Sequence, residues 1–399
     1  MDQGEAGIQF DKEVVSKRTQ TSRTFLTDKG AYAAVVYAGS INYKDPGGTW
    51  QPIDNALISS TTPGFAYENK ANHYSLLLPA NLCSPVQTVD GGTAIAFTLV
   101  NASPSSSAVV SGDTATYANA IPGVDVAYTA ASDFAKESIS LQGPTSPATF
   151  VYDLRLSSGL AAKASSAGGI EFVDASGTVK ASIPAPFMED ASHTPAGRSH
   201  AVSLTLGQSA SGQTLTVAAD PAWLADPARK FPVVIDPTVS YLPNQDCSIA
   251  SGSNADVNYC GDTEDETGLN SPNIFRSIVQ INIQLAIPSN VNVLESYIGL
   301  YATLAQNSGP MAVSEHQVTQ AWTTRDTWNT YDGTHAWRTP GGDFNSTAYY
   351  TNSSVGPATG QFYYWWQTEL AQGWVNGTIP NGCRSFRGTY AALGMMLSA

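Results

Sequence analysis

Short stretches in which apolar and polar residues alternate recur along the whole chain, and this alternation restricts the fold more than any other feature. Residues 295–304, ESYIGLYATL, would place Ile298, Leu300 and Ala302 on one side of a strand, because successive side chains of a strand point to opposite faces. Residues 276–285, RSIVQINIQL, alternate in the same way. Turn residues separate such stretches at short intervals, and helical periodicity is scarce. The pattern predicts an all-β chain of multiple antiparallel β-sandwiches.

One stretch near the C-terminus has a helical pattern instead. In YYWWQTELAQGWVNGT, Trp366, Leu370 and Trp374 recur every four residues, which places them on one face of a helix. An Asn-Gly pair follows, and this pair is a typical stop at the C-terminal end of a helix. A short helix is therefore predicted near residues 367–375.

The length and one proline-rich segment indicate the domain organisation. A chain of 399 residues is too long for one ordinary core. Residues 227–248, PARKFPVVIDPTVSYLPNQDCS, contain four prolines and separate two halves. We therefore predict a disordered leader over 1–10, two N-terminal β subdomains over 11–130 and 131–238, and a C-terminal β-sandwich over 244–399.

The charge balance restricts the partners. The formal net charge is −14, and the sequence shows no basic patch of the kind that nucleic-acid binders present. Nucleic acid is therefore not an expected partner, and an anionic membrane surface is equally disfavoured. A membrane span is not expected either, because no apolar run reaches about 18 residues. The polar start, MDQGEAGIQFDKEVVSKRT, fits a mature protein without its leader and also a cytosolic protein.

Cysteine usage favours an oxidising compartment. The four cysteines form no CxxC pair, and no histidine stands at zinc-finger spacing. Cys247 and Cys260 flank a loop rich in turn residues that suits a local disulfide, which leaves Cys83 with Cys383. Four cysteines allow three connectivities, and the sequence leaves the choice between them open. Disulfides predict a secreted or cell-surface protein.

The sequence carries no recognised motif for hydrolytic catalysis. It has no GxSxG nucleophile elbow and no HExxH zinc helix. Asp326, Asp332 and Asp343 offer the carboxylates that glycoside hydrolysis needs, but each stands beside turn residues that aspartate commonly caps. The prediction is that the chain is not an enzyme. A polysaccharide hydrolase or lyase stays as an alternative if the three carboxylates converge on one cleft.

The acidic loop CGDTEDETGLNSPN is the candidate metal site. Calcium takes about six to eight oxygen ligands from carboxylates and carbonyls in flexible loops, and Asp262, Glu264 and Asp265 would supply carboxylates. The loop lacks the DxDxDG spacing of an EF-hand, and a solvated loop without an ion is the simpler interpretation. No cofactor is required, and calcium is the ion that the loop allows.

Aromatic residues are concentrated near the C-terminus. Six of the eight tryptophans lie after residue 320, and FYYWW at 362–366 places five aromatics in succession. Side chains of a strand alternate between its faces, so about half of these can enter a core and the rest point outward. A tryptophan-rich core would explain part of the cluster, whereas outward aromatic faces can stack on sugar rings. The candidate ligand-binding residues are Trp337, Arg338, Tyr363 and Trp365.

Several blocks of the C-terminal half occur in the order found in a known family. They are IFRSIVQINIQLAIPSNVNVLESYIGLYAT, VTQAWTTRDTWNTYDGTHAWRTPGGDF, ELAQGWVNGTIPNG and ALGMMLSA. Together they resemble the DNRLRE domain over nearly all of 244–399. The resemblance implies a secreted, jelly-roll-like β-sandwich of the kind attached to polysaccharide-active or cell-wall proteins, and hence carbohydrate binding. The four cysteines, the CGDTEDETG loop and FYYWWQTEL depart from the family pattern.

The N-terminal half resembles a second region. TWQPIDNAL, ATYANAIPGVDVAYTA, IPAPFMEDASHTPA and WLADPARKFPVVIDPTV are similar to the segment that precedes DNRLRE domains in large actinobacterial surface proteins. Many of those proteins continue into RHS/YD repeats and a toxin tip. This resemblance implies an N-terminal part of a longer protein.

The aromatic cluster and the resemblance predict a non-catalytic extracellular binding or scaffold protein. Its C-terminal module would recognise a polysaccharide or cell-wall glycan as part of a larger surface or toxin protein. The alternative is a purely structural N-terminal part of an RHS-type toxin assembly, whose partners would be other parts of the same protein.

Overall fold

A computed structural model describes residues 10–37, 39–165, 168–192, 197–210, 212–240, 246–260, 265–280, 287–289, 291–305, 308–379, 384–388 and 393–396. The predicted leader over 1–10 lies outside these residues, apart from Phe10. The chain divides into two compact units, which we name the central unit (Tyr43–Pro243) and the terminal unit (Met1–Asn42 with Asn244–Ala399). Both are built from antiparallel strands, so the predicted all-β fold is confirmed.

The first strands of the chain are β1 (Phe10–Glu13), β2 (Ser22–Thr27), β3 (Tyr32–Val36) and β4 (Asn42–Lys44), with a 3-10 helix at Val15–Lys17. β1, β2 and β3 form a three-stranded sheet of the terminal unit in that order. Phe10 stacks on the buried ring of Phe25, with 5.1 Å between the ring centroids. This contact fixes β1 against β2.

The central unit contains most of the strands. They are β5 (Trp50–Pro52), β6 (Asp54–Ser59), β7 (Tyr67–Ala71), β8 (Tyr74–Leu78), β9 (Val86–Asp90), β10 (Thr93–Leu99), β11 (Ala108–Ser111), β12 (Thr114–Ile121), β13 (Val124–Ala130), β14 (Phe134–Leu141), β15 (Thr149–Leu156), β16 (Ala161–Ala164), β17 (Ile170–Val173), β18 (Val179–Ile183), β19 (Phe187–Asp190), β20 (Arg198–Ser199), β21 (Val202–Ser209), β22 (Gly212–Ala219), β23 (Val233–Asp236) and β24 (Val239–Ser240). A single-turn helix, α1 (Pro221–Leu224), follows β22.

Two large sheets of the central unit share one core. The first has the order β21-β22-β15-β10-β9-β8-β7-β6, and the second has the order β11-β12-β13-β14-β24-β18-β17-β16, with β23, β19 and β20 attached beside β14. Inward side chains of both sheets belong to one buried apolar cluster. For example, Phe97 of the first sheet meets Phe172 of the second edge-on, with 6.3 Å between the ring centroids. The central unit is therefore a β-sandwich.

The structure divides the chain differently from the sequence-based domains. Hydrogen-bonded ladders cross residue 130, because β10 pairs with β15 and β13 pairs with β14. Strands from both sides of that position fill the same core. Residues up to Asn42 belong with the terminal unit, while the end of the central unit at Pro243 falls at the predicted proline-rich segment. Pairing between distant strands leaves no local mark in the sequence, whereas a run of prolines does.

The remaining elements of the terminal unit are β25 (Asp246–Ala250), β26 (Asp265–Asn270), β27 (Asn273–Val279), β28 (Tyr297–Ala305), β29 (Met311–Gln317), β30 (Tyr350–Val355), β31 (Gln361–Trp366), β32 (Arg384–Gly388) and β33 (Leu393–Met396), a 3-10 helix at Gly252–Asn254 and helix α2 (Thr368–Val375). The strands form one sheet with the order β30-β29-β32-β27-β26-β33-β28-β31, and β25 also pairs with β27. β27 covers the first part of the alternating stretch 276–285, and the part from 281 onward lies outside the described residues.

Helix α2 confirms the predicted helix. Leu370 and Trp374 lie on its buried face, and Trp366 belongs to the preceding strand. Asn376 caps the C-terminal end, and Gly377 adopts a φ of 70°, a backbone conformation that glycine reaches without strain. Among the described residues, no helix combines the length and the apolar character that crossing a membrane would require.

Candidate functional site

Strand β31 contains two of the aromatic residues predicted to bind a ligand. Trp365 is fully buried, and its Nε1 donates a hydrogen bond to the Val313 carbonyl at 2.8 Å. Tyr363 is 8% exposed, and its hydroxyl donates to the Ala358 carbonyl at 2.8 Å. Both rings lie in the core beside Leu300. They therefore cannot stack on a ligand at the surface.

The aromatic residues on the other face of β31 form what we name the outer aromatic row. Its members occupy facing positions on β28 and β31: Tyr297, Tyr301, Phe362, Tyr364 and Trp366. Ring centroids lie 5.1 Å apart for Tyr301 and Phe362 and 5.3 Å apart for Tyr297 and Tyr364. Tyr297 and Phe362 are 37% and 38% exposed. The predicted alternation of side chains is observed on β31, but the two ligand-binding candidates of this strand, Tyr363 and Trp365, lie on its buried face.

Gly299 allows the outer aromatic row to form. A Cβ atom at this position would lie 2.9 Å from the Tyr364 ring, closer than carbon atoms approach without a shift. Gly299 faces Tyr364 across the two strands. The missing side chain therefore gives the Tyr364 ring room to lie across β28.

The candidate pair Trp337 and Arg338 divides between core and surface. Trp337 is 3% exposed, packs against Ile249 and Ile278, and donates from Nε1 to the Thr327 carbonyl at 2.9 Å. Arg338 is exposed, and its backbone N–H donates to Asp343. The Trp337 ring therefore serves the core, and Arg338 has no exposed aromatic partner from the candidate set.

The three candidate acid residues belong to three local structures. Asp343 accepts hydrogen bonds from the backbone N–H groups of Arg338 and Thr339, each at 2.9 Å. Asp332 accepts from the backbone N–H of His335 at 2.7 Å and from its Nδ1 at 2.8 Å, and these bonds lower the pKa of Asp332 to about 2. Both carboxylates therefore cap turns, as their sequence context predicts. Asp326 is buried elsewhere, beside a disulfide.

The predicted Cys247–Cys260 disulfide is present, and Asp326 lies against it. One carboxyl oxygen of Asp326 lies 3.0 Å from the Cys260 sulfur, and the other is buried without a hydrogen-bond partner. Burial raises the pKa of Asp326 well above its usual range. Asn258 Nδ2 lies 3.2 Å from the same sulfur and donates to the Asp326 carbonyl at 2.7 Å. The cluster joins positions 66 residues apart, so no local spacing could have revealed it.

The remaining predicted residues are the other two cysteines and the candidate calcium ligands. Cys83 carries a free, exposed thiol, and Cys383, its possible partner in a second disulfide, lies outside the described residues. Asp262 and Glu264 also lie outside them. Asp265 is 7% exposed in β26 and accepts a hydrogen bond from Ser248 at 3.0 Å. Calcium binding stays a prediction.

A buried carboxyl group in the central unit adjoins a small cavity. Glu137 accepts hydrogen bonds from the hydroxyls of Tyr128 and Tyr152, the latter at 3.0 Å. Burial raises the pKa of Glu137 to about 7. The cavity beside it measures about 20 Å³ and is lined mainly by apolar residues such as Leu76 and Leu215. This volume suits a single water molecule and is too small for an organic ligand.

His73 of the central unit lies between two carboxylates. Its Nδ1 is 3.5 Å from Asp90, and its Nε2 is 3.6 Å from Asp133. Burial lowers the pKa of His73, but the interactions with Asp133 and Asp90 outweigh burial and raise it to about 9. The folded chain therefore holds a protonated histidine at neutral pH.

The charge of His73 predicts a pH-dependent stability. The folded pKa exceeds the ordinary value of 6.5, so the stabilisation is complete below that value and is lost as the pH rises through about 9. We expect the unfolding free energy of the wild type to fall by about 1–2 kcal/mol over this window relative to His73→Gln. Urea titrations at a series of pH values measure the difference. Parallel pH profiles for the two proteins would contradict the assignment.

No family model matches the chain. The chain is nevertheless similar in sequence to several known proteins. The chain is 28% identical over 275 residues to the tRNA(Glu)-specific nuclease WapA of Bacillus subtilis subsp. natto, an alignment that covers 63% of this chain and 12% of the relative. It is 28% identical over 262 residues to the tRNA3(Ser)-specific nuclease WapA of Bacillus spizizenii, covering 61% and 11%. The tRNA nuclease WapA of Bacillus subtilis strain 168 is 27% identical over 275 residues, covering 63% and 12%.

These relatives overturn three predictions. Their names describe tRNA nucleases, so the predicted function of a carbohydrate-binding scaffold is wrong, and so are the predictions that an enzyme and a nucleic-acid partner are excluded. The net charge of −14 is that of this chain, and it places no limit on the charge of relatives of which the alignment covers 12%. The chain is thus similar to proteins named as tRNA nucleases, and it spans about 12% of their length.

Proposed function

We propose that this chain is a structural part of a WapA-like toxin and that tRNA is the substrate of the whole protein. One observation carries the proposal: the similarity to three WapA nucleases runs through more than 60% of this chain and only 11–12% of theirs. A structural part of a larger toxin is the role that such a coverage favours. The earlier resemblance to the regions that precede RHS/YD repeats points to the same role.

The packing of the described residues supports a structural role. The central unit encloses one continuous apolar core between two sheets. In the terminal unit, a disulfide joins β25 to the loop that follows it, and buried tryptophans such as Trp365 and Trp374 fill the interior. Secretion or display at the cell surface is part of the proposal, because disulfides persist in oxidising compartments.

The proposal predicts that the parent toxin needs this segment to reach its substrate in another cell. Producer cells would carry either the full parent protein or the parent without residues 10–396. We expect tRNA of neighbouring target cells to be cleaved by the full protein and to stay intact with the deletion. The control is expression of both versions inside the cytoplasm of sensitive cells, where each should cleave tRNA. Target-cell cleavage that does not change on deletion would overturn the structural role.

A second experiment locates the nuclease centre. The isolated chain is incubated with tRNA beside the remainder of the parent protein, and the products are separated by size. Cleavage by the isolated chain would place the centre among its own residues. Cleavage by the remainder alone would place it elsewhere in the parent protein.

A further inference from the structure

We propose that Cys247, Cys260 and Asp326 form a binding site for a thiophilic divalent cation, with Zn²⁺ as the test ion, once the disulfide between the two cysteines is reduced. One ligand atom from each residue, two sulfurs and a carboxylate oxygen, lies within 4.8 Å of the others. All three side chains are buried. Cys260 begins the acidic loop that was considered for calcium, but the carboxylate ligand of this site is Asp326 and not one of the acidic residues of that loop.

The donor set matches zinc in kind. Zinc binds thiolates at about 2.3 Å and carboxylates at about 2.0–2.2 Å in a tetrahedral arrangement. Such an arrangement places its ligand atoms about 3.5–3.8 Å apart. One carboxylate oxygen of Asp326 lies 3.0 Å from the Cys260 sulfur, and the two sulfurs, which are bonded in the oxidised state, would move apart to this spacing after reduction. Thiolate donors favour zinc over calcium and magnesium, which prefer oxygen ligands. A solvent molecule would complete the fourth position, as in other zinc sites with three protein ligands.

Asp326 is the observation that points to a ligand. Its side chain has no exposed surface, and its Oδ2 is buried without a hydrogen-bond partner. Burying a carboxyl group without a partner is unfavourable. With the disulfide formed, the neighbouring sulfurs carry neither charge nor proton to offer it. A cation held between the reduced sulfurs and Asp326 would give the buried carboxylate a partner.

Asn258 holds the two segments of the site together. Its Nδ2 donates to the carbonyl of Asp326 at 2.7 Å and to that of Thr324 at 3.3 Å, and it lies 3.2 Å from the Cys260 sulfur. The residues before Cys260 are thereby fixed to the turn that carries Asp326. An N–H group directed at the sulfur also favours the thiolate over the thiol. The first effect keeps the ligands close after the covalent bond is broken, and the second favours the form of the sulfur that binds a cation.

The redox step is balanced by a thiol reductant. Two reductant thiols transfer two electrons and two protons to the Cys247–Cys260 bond, which yields two cysteine thiols and one reductant disulfide. Binding of Zn²⁺ then displaces the protons of the two thiols and of the Asp326 carboxyl to water. The disulfide and the metal site are therefore mutually exclusive states of the same three side chains.

The test measures Zn²⁺ and Co²⁺ binding to the whole chain with its disulfide intact and after reduction. Cys83 and Cys383 are replaced by serine throughout, so that other thiols do not contribute. We expect the reduced chain to bind one Zn²⁺ in competition with a chromophoric chelator and to show thiolate-to-cobalt absorption with Co²⁺. The oxidised chain should show neither, and Ca²⁺ should not compete.

Three variants separate the site from unspecific binding. Asp326→Asn keeps the shape of the side chain and should weaken Zn²⁺ binding at least about tenfold. Asp113→Asn, which changes an exposed carboxylate of the central unit, should leave the affinity unchanged. Cys247→Ser with Cys260→Ser should abolish binding even though no disulfide can form, and circular dichroism checks that each variant is folded. Equal affinities of the reduced and oxidised chains, or of the Asp326→Asn and Asp113→Asn variants, would overturn the proposal.

Discussion

Replacing Trp365 by alanine should lower the unfolding free energy of the terminal unit by about 3–5 kcal/mol. Trp365 has no exposed surface and packs with Ile298, Leu300 and Val313. Its removal leaves a cavity that the surrounding strands cannot fill, and the Val313 carbonyl loses the hydrogen bond from Nε1. Denaturant titration followed by circular dichroism measures the change.

Phe362→Ala is the matched control for Trp365→Ala. Phe362 lies on the same strand three residues earlier and points to the opposite face, where it is 38% exposed. Its loss should lower the unfolding free energy by about 1 kcal/mol or less. If the Phe362 variant were the more damaged of the two, the assignment of inward and outward faces on β31 would be wrong.

After Trp365→Ala, the largest loss of unfolding free energy is expected from removal of the Cys247–Cys260 disulfide. The bond closes a loop with a sequence separation of 13, and a loop of this length stabilises a fold by about 3 kcal/mol through the entropy of the unfolded chain. Replacing both cysteines by serine should therefore lower the unfolding free energy of the terminal unit by about that amount. Denaturant titrations of oxidised wild type and variant give the value.

Cys83→Ser is the control for the disulfide variant. Cys83 is a free thiol at the surface of the central unit, so its replacement should change the stability by no more than about 0.5 kcal/mol. A loss comparable to that of the double variant would mean that Cys83 is itself part of a stabilising bond.

Reduction of the wild-type disulfide should lower the unfolding free energy in the same way as the double variant. Zn²⁺ added to the reduced wild type should restore part of this unfolding free energy, because a ligand that binds only the folded state stabilises it.

Local periodicity predicted the elements of this fold well, since alternation and four-residue spacing are properties of neighbouring residues. The helix predicted near 367–375 is observed at Thr368–Val375 and ends at Asn376. The same reasoning could show that the aromatics of 362–366 alternate, but it could not show which face is buried. That choice depends on β28 and β29, which pack against Tyr363 and Trp365 from elsewhere in the chain.

The candidate site was harder to predict because its residues meet only in three dimensions. The sequence neighbours of Asp326 predict a turn, yet its carboxyl group contacts the disulfide sulfur of Cys260, 66 residues earlier in the chain. Trp337 stands beside a charged arginine in the sequence and is nevertheless 3% exposed. The expectation about nucleic acid failed for another reason: composition describes only this segment of what we propose to be a much longer protein.

The central claim, that this chain is a structural part of a WapA-like toxin, is tested most directly by the state of tRNA in target cells. Producer cells would carry the parent protein with Trp365→Ala, with Phe362→Ala or without a substitution, and target-cell tRNA would be separated by size after contact. The account predicts cleaved tRNA with the wild type and with Phe362→Ala, and intact tRNA with the destabilised Trp365→Ala protein. Equal tRNA cleavage by all three, with the terminal unit of the Trp365→Ala protein unfolded, would contradict it.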